Sequence, residues 1–362
     1  MLDIDPQNET DYSQDFETVA VRNTSLEQIK TEGSHGQEVS YRIGGVDDDN
    51  TEGKAGLKLV DLKNSIKFDW NVAKVPVRDE YEGHSRKVKN ISMMVRQDTK
   101  RQLGLIRGSV KPLQNHHLFD FLQPFEDSGS FELETAASLD GGRTIVALMR
   151  NRAIGDVEIT KGDSIGAYLY AKMTRNSKPS IQLGEMLMRL VCSNGMIGFQ
   201  PDVYTIDQNS MALLNLNNIQ HLIQKNLVLT QKAADKMKEM VAVKMSSPRQ
   251  LDNYWRQSMG FVWDDPSLVF ESQEEEDEHR LAMKKNKRTI NKLEQCYESQ
   301  RATLDEEYQD TVWHAYQGNT AYTTHERSKS PNSRFKSIIG GKGQVINHRS
   351  FQLACQLVDA AA

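Results

Sequence analysis

Alternating apolar and polar residues run through the middle third of the chain in pairs of short stretches. Three such pairs are present: 89–95 with 102–110, 131–135 with 144–149, and 165–173 with 181–191. The residues between the members of a pair are polar or glycine-rich, as in Asp140-Gly141-Gly142. Period-two alternation on both sides of such a turn is typical of a β-hairpin. The pattern therefore predicts a mostly antiparallel sheet built from three hairpins.

Apolar residues at helical spacing occur between the first two hairpins and again after residue 200. The first helix is predicted over residues 116–125, with Asn115 as its cap and Leu118 and Leu122 on its apolar side. Later helices are predicted over 208–245, 248–261, 284–308 and 347–358, with turns at 318–320 and 330–333. The expected fold class is α+β: a mostly antiparallel sheet of β-hairpins packed with helices, followed by a helical C-terminal half.

The chain divides into three predicted regions. Residues 1–56 form an acidic flexible arm, residues 57–200 a hairpin-rich α+β core, and residues 201–362 a helical region with a charged helix and a C-terminal helix. Residues 1–54 carry 13 Asp and Glu against four Lys and Arg. This arm is predicted to be either a solvated tail or a segment that competes with nucleic acid for a basic groove.

The sequence shows neither a membrane span nor an export signal. No apolar run approaches the roughly 18 residues that a spanning helix needs. The first residues, Met1-Leu2-Asp3-Ile4-Asp5, are acidic rather than basic and then apolar, so they do not resemble a signal peptide. We therefore expect a cytoplasmic protein that has no membrane partner.

Tests for catalytic and metal-binding motifs are negative. The three cysteines, Cys192, Cys296 and Cys355, are too far apart for a metal motif, and their odd number argues against a disulfide framework. Residues 162–166 fit G-x-S-x-G, but a strand-like stretch follows where a nucleophile elbow needs a helix. Residues 340–343 lack the Ser or Thr of a phosphate loop and read as a mobile basic loop. We predict no catalytic residue, no metal and no cofactor.

Charge is concentrated in the hairpin region. Residues 84–180 carry 15 Lys and Arg against 10 Asp and Glu, in a chain of net charge −5. The candidates for binding a phosphate backbone are Arg96, Lys100, Arg101, Arg107 and Lys111 on the first hairpin, Arg143, Arg150 and Arg152 on the second, and Lys172, Arg175 and Lys178 on the third. Phe131, Tyr168 and Tyr170 offer rings on which unpaired bases could stack. The alternative is that these are the ordinary cations of exposed strands.

Several short motifs carry a family resemblance. They are Leu103-Gly104, Pro112-Leu113-Gln114-Asn115, the stretch ETAASLDGGR at 134–143, Arg189 to Asn194, Thr311-Val312-Trp313-His314 and Asn319-Thr320-Ala321-Tyr322. In order and spacing they resemble phage and plasmid proteins grouped as domain of unknown function 932. The chain departs from that pattern at Ala137, where glycine is usual, and in lacking a glycine before Thr311. The resemblance implies a phage or plasmid context and no particular reaction.

The preferred hypothesis is a non-catalytic single-stranded DNA-binding and annealing protein of phage or plasmid recombination. By fold-level analogy with RecT/Redβ-type annealing proteins, it would have a small sheet with a helix behind it and a basic groove, and would form a ring or filament. Gln114 and Asn115 carry paired donors and acceptors that suit phosphates or base edges, and equally suit helix capping. A host or phage recombination protein is a possible further partner.

Two alternative functions remain open at the level of sequence. The first is a phage or plasmid protein-interaction factor that acts on a host protein, possibly a defence component, through its charged helical half. The second is a nucleic-acid-processing enzyme with a split carboxylate site made from Glu132, Glu134, Asp140 and Asp163. Strand alternation explains the first two of these carboxylates equally well as a solvated or paired face.

Overall fold

The computed structural model describes residues 17–20, 59, 68–189, 204–207, 216–261, 272–328, 331–339 and 341–361. The strands are β1 (Glu17–Ala20), β2 (Val72–Tyr81), β3 (His84–Arg96), β4 (Gln102–Arg107), β5 (Phe131–Leu139), β6 (Thr144–Asn151), β7 (Asp156–Thr160), β8 (Asp163–Thr174), β9 (Ser180–Arg189) and β10 (Tyr204–Asp207). The helices are α1 (Asn115–Asp127), α2 (Leu216–Ala242), α3 (Pro248–Met259), α4 (Gln273–Arg301), α5 (Val312–Ala321), α6 (Pro331–Ile338) and α7 (Lys342–Asp359). The predicted α+β class is confirmed.

The larger sheet contains seven antiparallel strands. Its order is β1-β5-β6-β8-β9-β10, and β7 also pairs with β8. The second and third predicted hairpins are β5–β6 and β8–β9. Strand β1 lies within the predicted acidic arm and pairs with the outer edge of β5. The sequence pattern did not reveal β7. The predicted boundary near residue 200 lies outside the described residues.

The smaller sheet has the order β2-β3-β4. The first predicted hairpin is confirmed as β3–β4, although β4 ends at Arg107 and not at Val110. The sequence analysis missed a second, longer hairpin, β2–β3, whose turn at Glu82-Gly83 has both residues at positive φ (50° and 77°). Two consecutive residues in the left-handed region are typical of the tight turn that joins adjacent strands.

The large sheet buries side chains on both faces, so its strands read as nearly continuous apolar runs. One apolar cluster joins Ile145 and Met149 of β6 to Phe119 and Leu122 of α1 and to Met94 of the small sheet. On the opposite face, Val146, Leu148 and Tyr170 pack against Ile338 and Ile339. Helix α1 therefore shares one core with both sheets.

The helical half packs around α5, in which every residue from Val312 to Ala321 is buried. Residues 318–320 lie inside this helix, so the turn predicted there is wrong. The small residues Gly318 and Ala321 allow close packing; a Cβ on Gly318 would lie 3.0 Å from the backbone of Tyr297. The same cluster includes Ala167 and Leu187 of the large sheet, so strands and helices share a core.

Two further features of the helical half correct the sequence prediction. Helix α6 begins at Pro331, where a turn was predicted. The basic loop predicted at 340–343 instead contains the cap and first residues of α7, in which Gly343 is buried against Ser337. Among the described helices, none is long and apolar enough to cross a membrane.

Candidate nucleic-acid interface

Three turns from different hairpins meet at one end of the two sheets. They are the β3–β4 turn (97–101), the β5–β6 turn (140–143) and the β8–β9 turn (175–179). The side chain of Arg101 lies directly against the position that a Cβ of Gly141 would occupy. Arg143 donates from Nε to the Leu103 carbonyl at 2.8 Å, and the Arg175 backbone N–H donates to the Arg143 carbonyl at 2.9 Å. Predicted candidates from all three hairpins therefore converge.

Arg175 lies at the centre of this junction and has no exposed surface. Its guanidinium donates to the Leu113 carbonyl (3.0 Å), the Gly142 carbonyl (2.5 Å) and Asn115 Oδ1 (2.5 Å). Burial lowers the pKa of Arg175 to about 9, which still leaves the side chain charged at neutral pH. Because a guanidinium presents several donors in a rigid plane, one side chain can join three chain segments.

Trp70 contacts two of the predicted binding arginines. The guanidinium carbon of Arg96 lies 4.2 Å from the ring centroid, and that of Arg175 lies 5.0 Å away. Arg96 is 5% exposed. Its Nε and Nη2 also donate to the two carboxylate oxygens of Asp98, at 2.8 and 2.9 Å. The hydrogen bond from Arg96 is the main cause of the lowered pKa of Asp98. Arg96 and Arg175 are thus held inside the protein, away from any phosphate backbone at the surface.

Gln114 and Asn115 also have structural partners. The Gln114 side chain accepts from the Val72 N–H at 2.8 Å and donates to the Val72 carbonyl at 3.0 Å. Gln114 is the cap residue of α1, which corrects the prediction that Asn115 fills that position. Asn115 is buried and donates to the Phe68 and Trp70 carbonyls, at 2.8 and 3.1 Å. These hydrogen bonds tie the start of α1 to residues 68–72, so the two side chains fix the chain before the helix and are not free to contact bases.

Four predicted candidates remain at the surface of the junction: Lys100, Arg101, Arg143 and Lys178, here called the basic end. Arg101 is half-exposed and the other three are exposed. Lys100 and Arg143 donate to the backbone carbonyls of Gln97 and Leu103, which leaves their charges uncompensated. The nearby carboxylates are already paired: Asp98 binds Arg96, and Asp140 binds Lys336.

Two more candidates, Arg107 and Lys111, are exposed on or just after β4. Residues 72–111, which span the small sheet, carry ten Lys and Arg against four Asp and Glu, a net charge of +6. Because the whole chain carries −5, all other residues together carry −11. The small sheet is therefore a positively charged part of an otherwise acidic protein.

The remaining candidates lie elsewhere. Arg150 binds Asp156 at 2.5 Å and Arg152 binds Glu132 at 2.7 Å, at the end of β5–β6 away from the Gly141-Gly142 turn. Lys172 lies on the face of the large sheet covered by Ile339, whose carbonyl is 3.5 Å from its Nζ, and burial lowers its pKa. The structure therefore does not place these three cations on the basic end.

The predicted stacking rings and the alternative carboxylate site do not form a surface either. Phe131, Tyr168 and Tyr170 are each at most 2% exposed, so a base cannot reach them. The hydroxyl of Tyr168 instead donates to the buried Glu134 carboxylate at 3.4 Å. Within the described parts of the chain, no three His, Cys, Asp or Glu side chains are grouped as metal ligands. The split carboxylate site therefore has no geometric support.

Comparison with family models gives a match over residues 102–339, which is about two thirds of the chain, to the domain of unknown function DUF932. The chain belongs to the DUF932 family. Neither the curated proteins nor the solved structures include a match. The matched region begins at β4 and ends just after α6, so it includes Arg143 and Lys178 of the basic end and most of the helical half, whereas Lys100 and Arg101 precede it.

Residues of the motifs that carried the family resemblance, although far apart in sequence, meet around Arg175. A Cβ on Gly104 would lie 2.6 Å from the Arg175 carbonyl, and one on Gly142 would overlap the Trp70 ring. Gly141 and Gly142 have φ of 62° and 101°, in the region that favours glycine. Together with Asn115, these motif residues form the buried frame that positions the exposed cations. Sequence reasoning missed the part that Trp70 plays in this frame, because a single tryptophan in a strand-like stretch carries no pairing signal.

Proposed function

We propose that this DUF932 protein binds single-stranded DNA through the basic end and promotes annealing without a catalytic residue, in the cytoplasm of a phage- or plasmid-carrying cell. The observation that carries the proposal is the convergence of three turns whose exposed cations, Lys100, Arg143 and Lys178, are accompanied by carboxylates that are already paired. Uncompensated cations at one surface supply the electrostatic attraction that dominates binding to a phosphate backbone.

The frame beneath the surface supports this proposal. Arg175 ties the β5–β6 and β8–β9 turns to the segment before α1 with buried hydrogen bonds, and Arg96, at the end of β3, donates to the Gly141 carbonyl at 3.4 Å. The exposed cations are therefore presented from rigid backbone. A rigid array of cations loses less conformational entropy on binding than the same cations on mobile loops. Backbone contacts alone leave the base edges free for pairing with a complementary strand, which annealing requires.

The test is fluorescence anisotropy with a labelled oligonucleotide at low salt, together with an annealing assay that uses complementary strands. We expect binding tighter than micromolar. Replacing Lys100, Arg143 and Lys178 by glutamine should weaken binding roughly 10- to 100-fold, at about 0.5 to 1 kcal/mol for each phosphate contact. The matched control replaces Lys284, Lys285 and Lys287, exposed on α4, by glutamine. Equal weakening by both variants, or no binding by the wild type, would refute the proposal.

A protein-interaction role is the second candidate, and the outer face of the small sheet favours it. Val75, Met93 and Leu105 form one row across the three strands, and Ile91 lies beside it. Val75, Ile91 and Leu105 are 42%, 39% and 46% exposed. Contiguous exposed apolar side chains often mark a protein contact. The test is whether a host protein co-purifies at a stoichiometric ratio with the wild type and not with Leu105→Lys. If it does, and if the protein does not bind DNA, protein interaction replaces single-stranded DNA binding as the function.

A further inference from the structure

The β2–β3 hairpin continues beyond the end of the small sheet as a two-stranded arm. Strand β4 is last paired with β3 at Ile91, whereas β2 and β3 remain paired as far as Tyr81 and His84. Residues 78–90, here called the β-arm, are exposed along both strands except for the half-buried Val88. Within the described residues, neither strand of the β-arm has another neighbour. The Asn90 carbonyl accepts a hydrogen bond from the Gly108 N–H at 2.8 Å, and along residues 78–89 both edges present unpaired backbone donors and acceptors.

The two edges of the β-arm carry opposite charge. The β2 edge, residues 78–82, contains three carboxylates and one arginine, for a net charge of −2. The β3 edge, residues 84–90, contains three cations and no carboxylate, for a net charge of +3. The carboxylates are Asp79, Glu80 and Glu82, and the cations are Arg86, Lys87 and Lys89. Within the described part of the chain none of these six side chains forms an ion pair.

We propose that the β2 edge of one copy of the chain pairs with the β3 edge of another copy. Each edge offers the backbone groups that add a strand to a sheet. Opposite charges on directly facing strands attract and like charges repel, so the acidic edge would reject a second acidic edge and accept a basic one. Tyr81, 72% exposed near the tip, would contribute apolar area to the contact.

This pairing joins two different surfaces, so each added copy leaves one acidic and one basic edge open. Such head-to-tail contacts close into a ring or continue as a filament, whereas a contact between identical edges stops at a dimer. The contact uses the β-arm and leaves Lys100, Arg143 and Lys178 exposed. The interface is therefore separate from the basic end and does not depend on nucleic-acid binding.

Light scattering on the purified, nuclease-treated full chain over a range of concentrations tests this interface. We expect the wild type to exceed the mass of a dimer. The acidic-edge variant (Asp79→Lys, Glu80→Lys, Glu82→Lys) and the basic-edge variant (Arg86→Glu, Lys87→Glu, Lys89→Glu) should each be monomeric, because both edges of each arm then carry the same sign.

Rescue separates loss of the contact from loss of the fold. Combining all six substitutions exchanges the two charges, so the head-to-tail contact should return. An equimolar mixture of the two triple variants should also assemble, because each supplies the edge that the other needs. The control variant Lys284→Glu, Lys285→Glu, Lys287→Glu changes the same number of exposed charges on α4 and should keep the wild-type mass.

Three outcomes would overturn the interface. The first is a wild type that stays monomeric at every concentration. The second is failure of both the six-substitution variant and the mixture to assemble while circular dichroism shows them folded. The third is a solution mass that falls in the basic-edge variant and rises in the acidic-edge variant. That pattern indicates that a polyanion, and not contact between the two edges, links the copies. All three are measured without added DNA, so they are independent of the anisotropy result.

Discussion

Arginine residues of the three converging turns divide into two groups by burial. Arg96 and Arg175 are at most 5% exposed and hold Trp70, Asn115 and backbone carbonyls in place. Arg143 is exposed and donates one hydrogen bond to a backbone carbonyl, which leaves its other N–H groups available. An arginine thus holds the fold together where several fixed acceptors surround it, and remains available at the surface where few do. Residue type and local charge alone do not make this distinction.

Replacing Arg175 by lysine should destabilise the protein although the charge is kept. A lysine ammonium cannot reach the Leu113, Gly142 and Asn115 acceptors in one plane, so buried acceptors lose their donor. We expect the free energy of unfolding to fall by roughly 3 kcal/mol, measured by urea denaturation. The exposed Lys178→Ala control should change it by less than about 0.5 kcal/mol. An unchanged free energy of unfolding in Arg175→Lys would contradict the role of Arg175 in holding this junction together.

His314 is the centre of a second buried network, at the start of α5. Its Nδ1 accepts from the Asp310 N–H at 3.1 Å, so its other ring nitrogen donates to the Tyr297 carbonyl at 2.9 Å in the neutral form. The ring also stacks on Tyr297 with centroids 3.8 Å apart. Burial lowers the pKa of His314 to about 4. The folded protein therefore holds this imidazole neutral where an unfolded chain would protonate it.

Stability should consequently fall as the pH drops from about 6.5 towards 4. In that window the unfolded state binds a proton at His314 and the folded state does not, so protonation favours unfolding. The expected contribution is on the order of 2 to 3 kcal/mol. Denaturant unfolding of the wild type and of His314→Gln at pH 7, 6, 5 and 4.5 measures it. The free energy of unfolding of the variant should fall less steeply as the pH drops. Identical slopes for the variant and the wild type would show that His314 does not contribute to this loss.

At the scale of elements, residues at positive φ set the turns that bring the motifs together. Gly141-Gly142 lets the β5–β6 hairpin turn tightly against Trp70 and Arg101. Asp310, at φ 57°, precedes Thr311, whose side chain caps α5. The Asp310 carboxylate accepts hydrogen bonds from Tyr297 (2.7 Å) and Arg301 (2.8 Å), which help to hold this backbone conformation.

Gly142→Ala should disrupt the contact between the β5–β6 turn and Trp70. A Cβ at φ 101° would overlap the indole ring, so the cost combines backbone strain with overpacking. We expect a loss of about 2 to 4 kcal/mol in denaturant unfolding. Gly155→Ala is the matched control, since Gly155 has φ 69° and open space around it. It should lose only about 1 to 2 kcal/mol, the cost of the left-handed conformation. Equal losses would exclude the steric contribution.

At the scale of the whole molecule, charge is separated between the small sheet and the remainder. The net charge of +6 on residues 72–111 attracts a polyanion, while the net charge of −11 on all other residues limits nonspecific adhesion. The basic end adds Arg143 and Lys178 of the large sheet to Lys100 and Arg101 of the small sheet, so this surface exists only once the two sheets are assembled. Binding through such a surface should be governed by the release of counterions.

The salt dependence of single-strand binding should report the number of contacts at the basic end. With four phosphate contacts the slope of log K against log salt is about −3, so affinity falls on the order of 50-fold from 50 to 200 mM salt. Loss of Lys100, Arg143 and Lys178 should make this slope shallower by about 2. A salt-independent affinity, or an unchanged slope in the triple variant, would place the contacts elsewhere.

The sequence by itself determined the class of fold and the family. Local alternation and glycine turns predict a hairpin wherever both strands have complementary patterns, so β3–β4, β5–β6 and β8–β9 were visible. Apolar spacing likewise indicated α1, because Leu118 and Leu122 recur on one face. The β2–β3 arm escaped notice because exposure on both faces removes the alternation that a half-buried strand shows.

Only the tertiary structure decided which charges are available. Burial of Arg96 and Arg175 depends on carbonyls and an indole supplied by residues about 25 to 105 positions away, and no local pattern encodes these acceptors. Pairing of Arg150 with Asp156 and burial of Tyr168 likewise depend on how β6 and β8 meet. Charge composition is a sum along the chain, whereas a binding surface depends on solvent exposure and on the neighbours that packing brings together. The four cations of the basic end could therefore be selected only after the three turns had been placed.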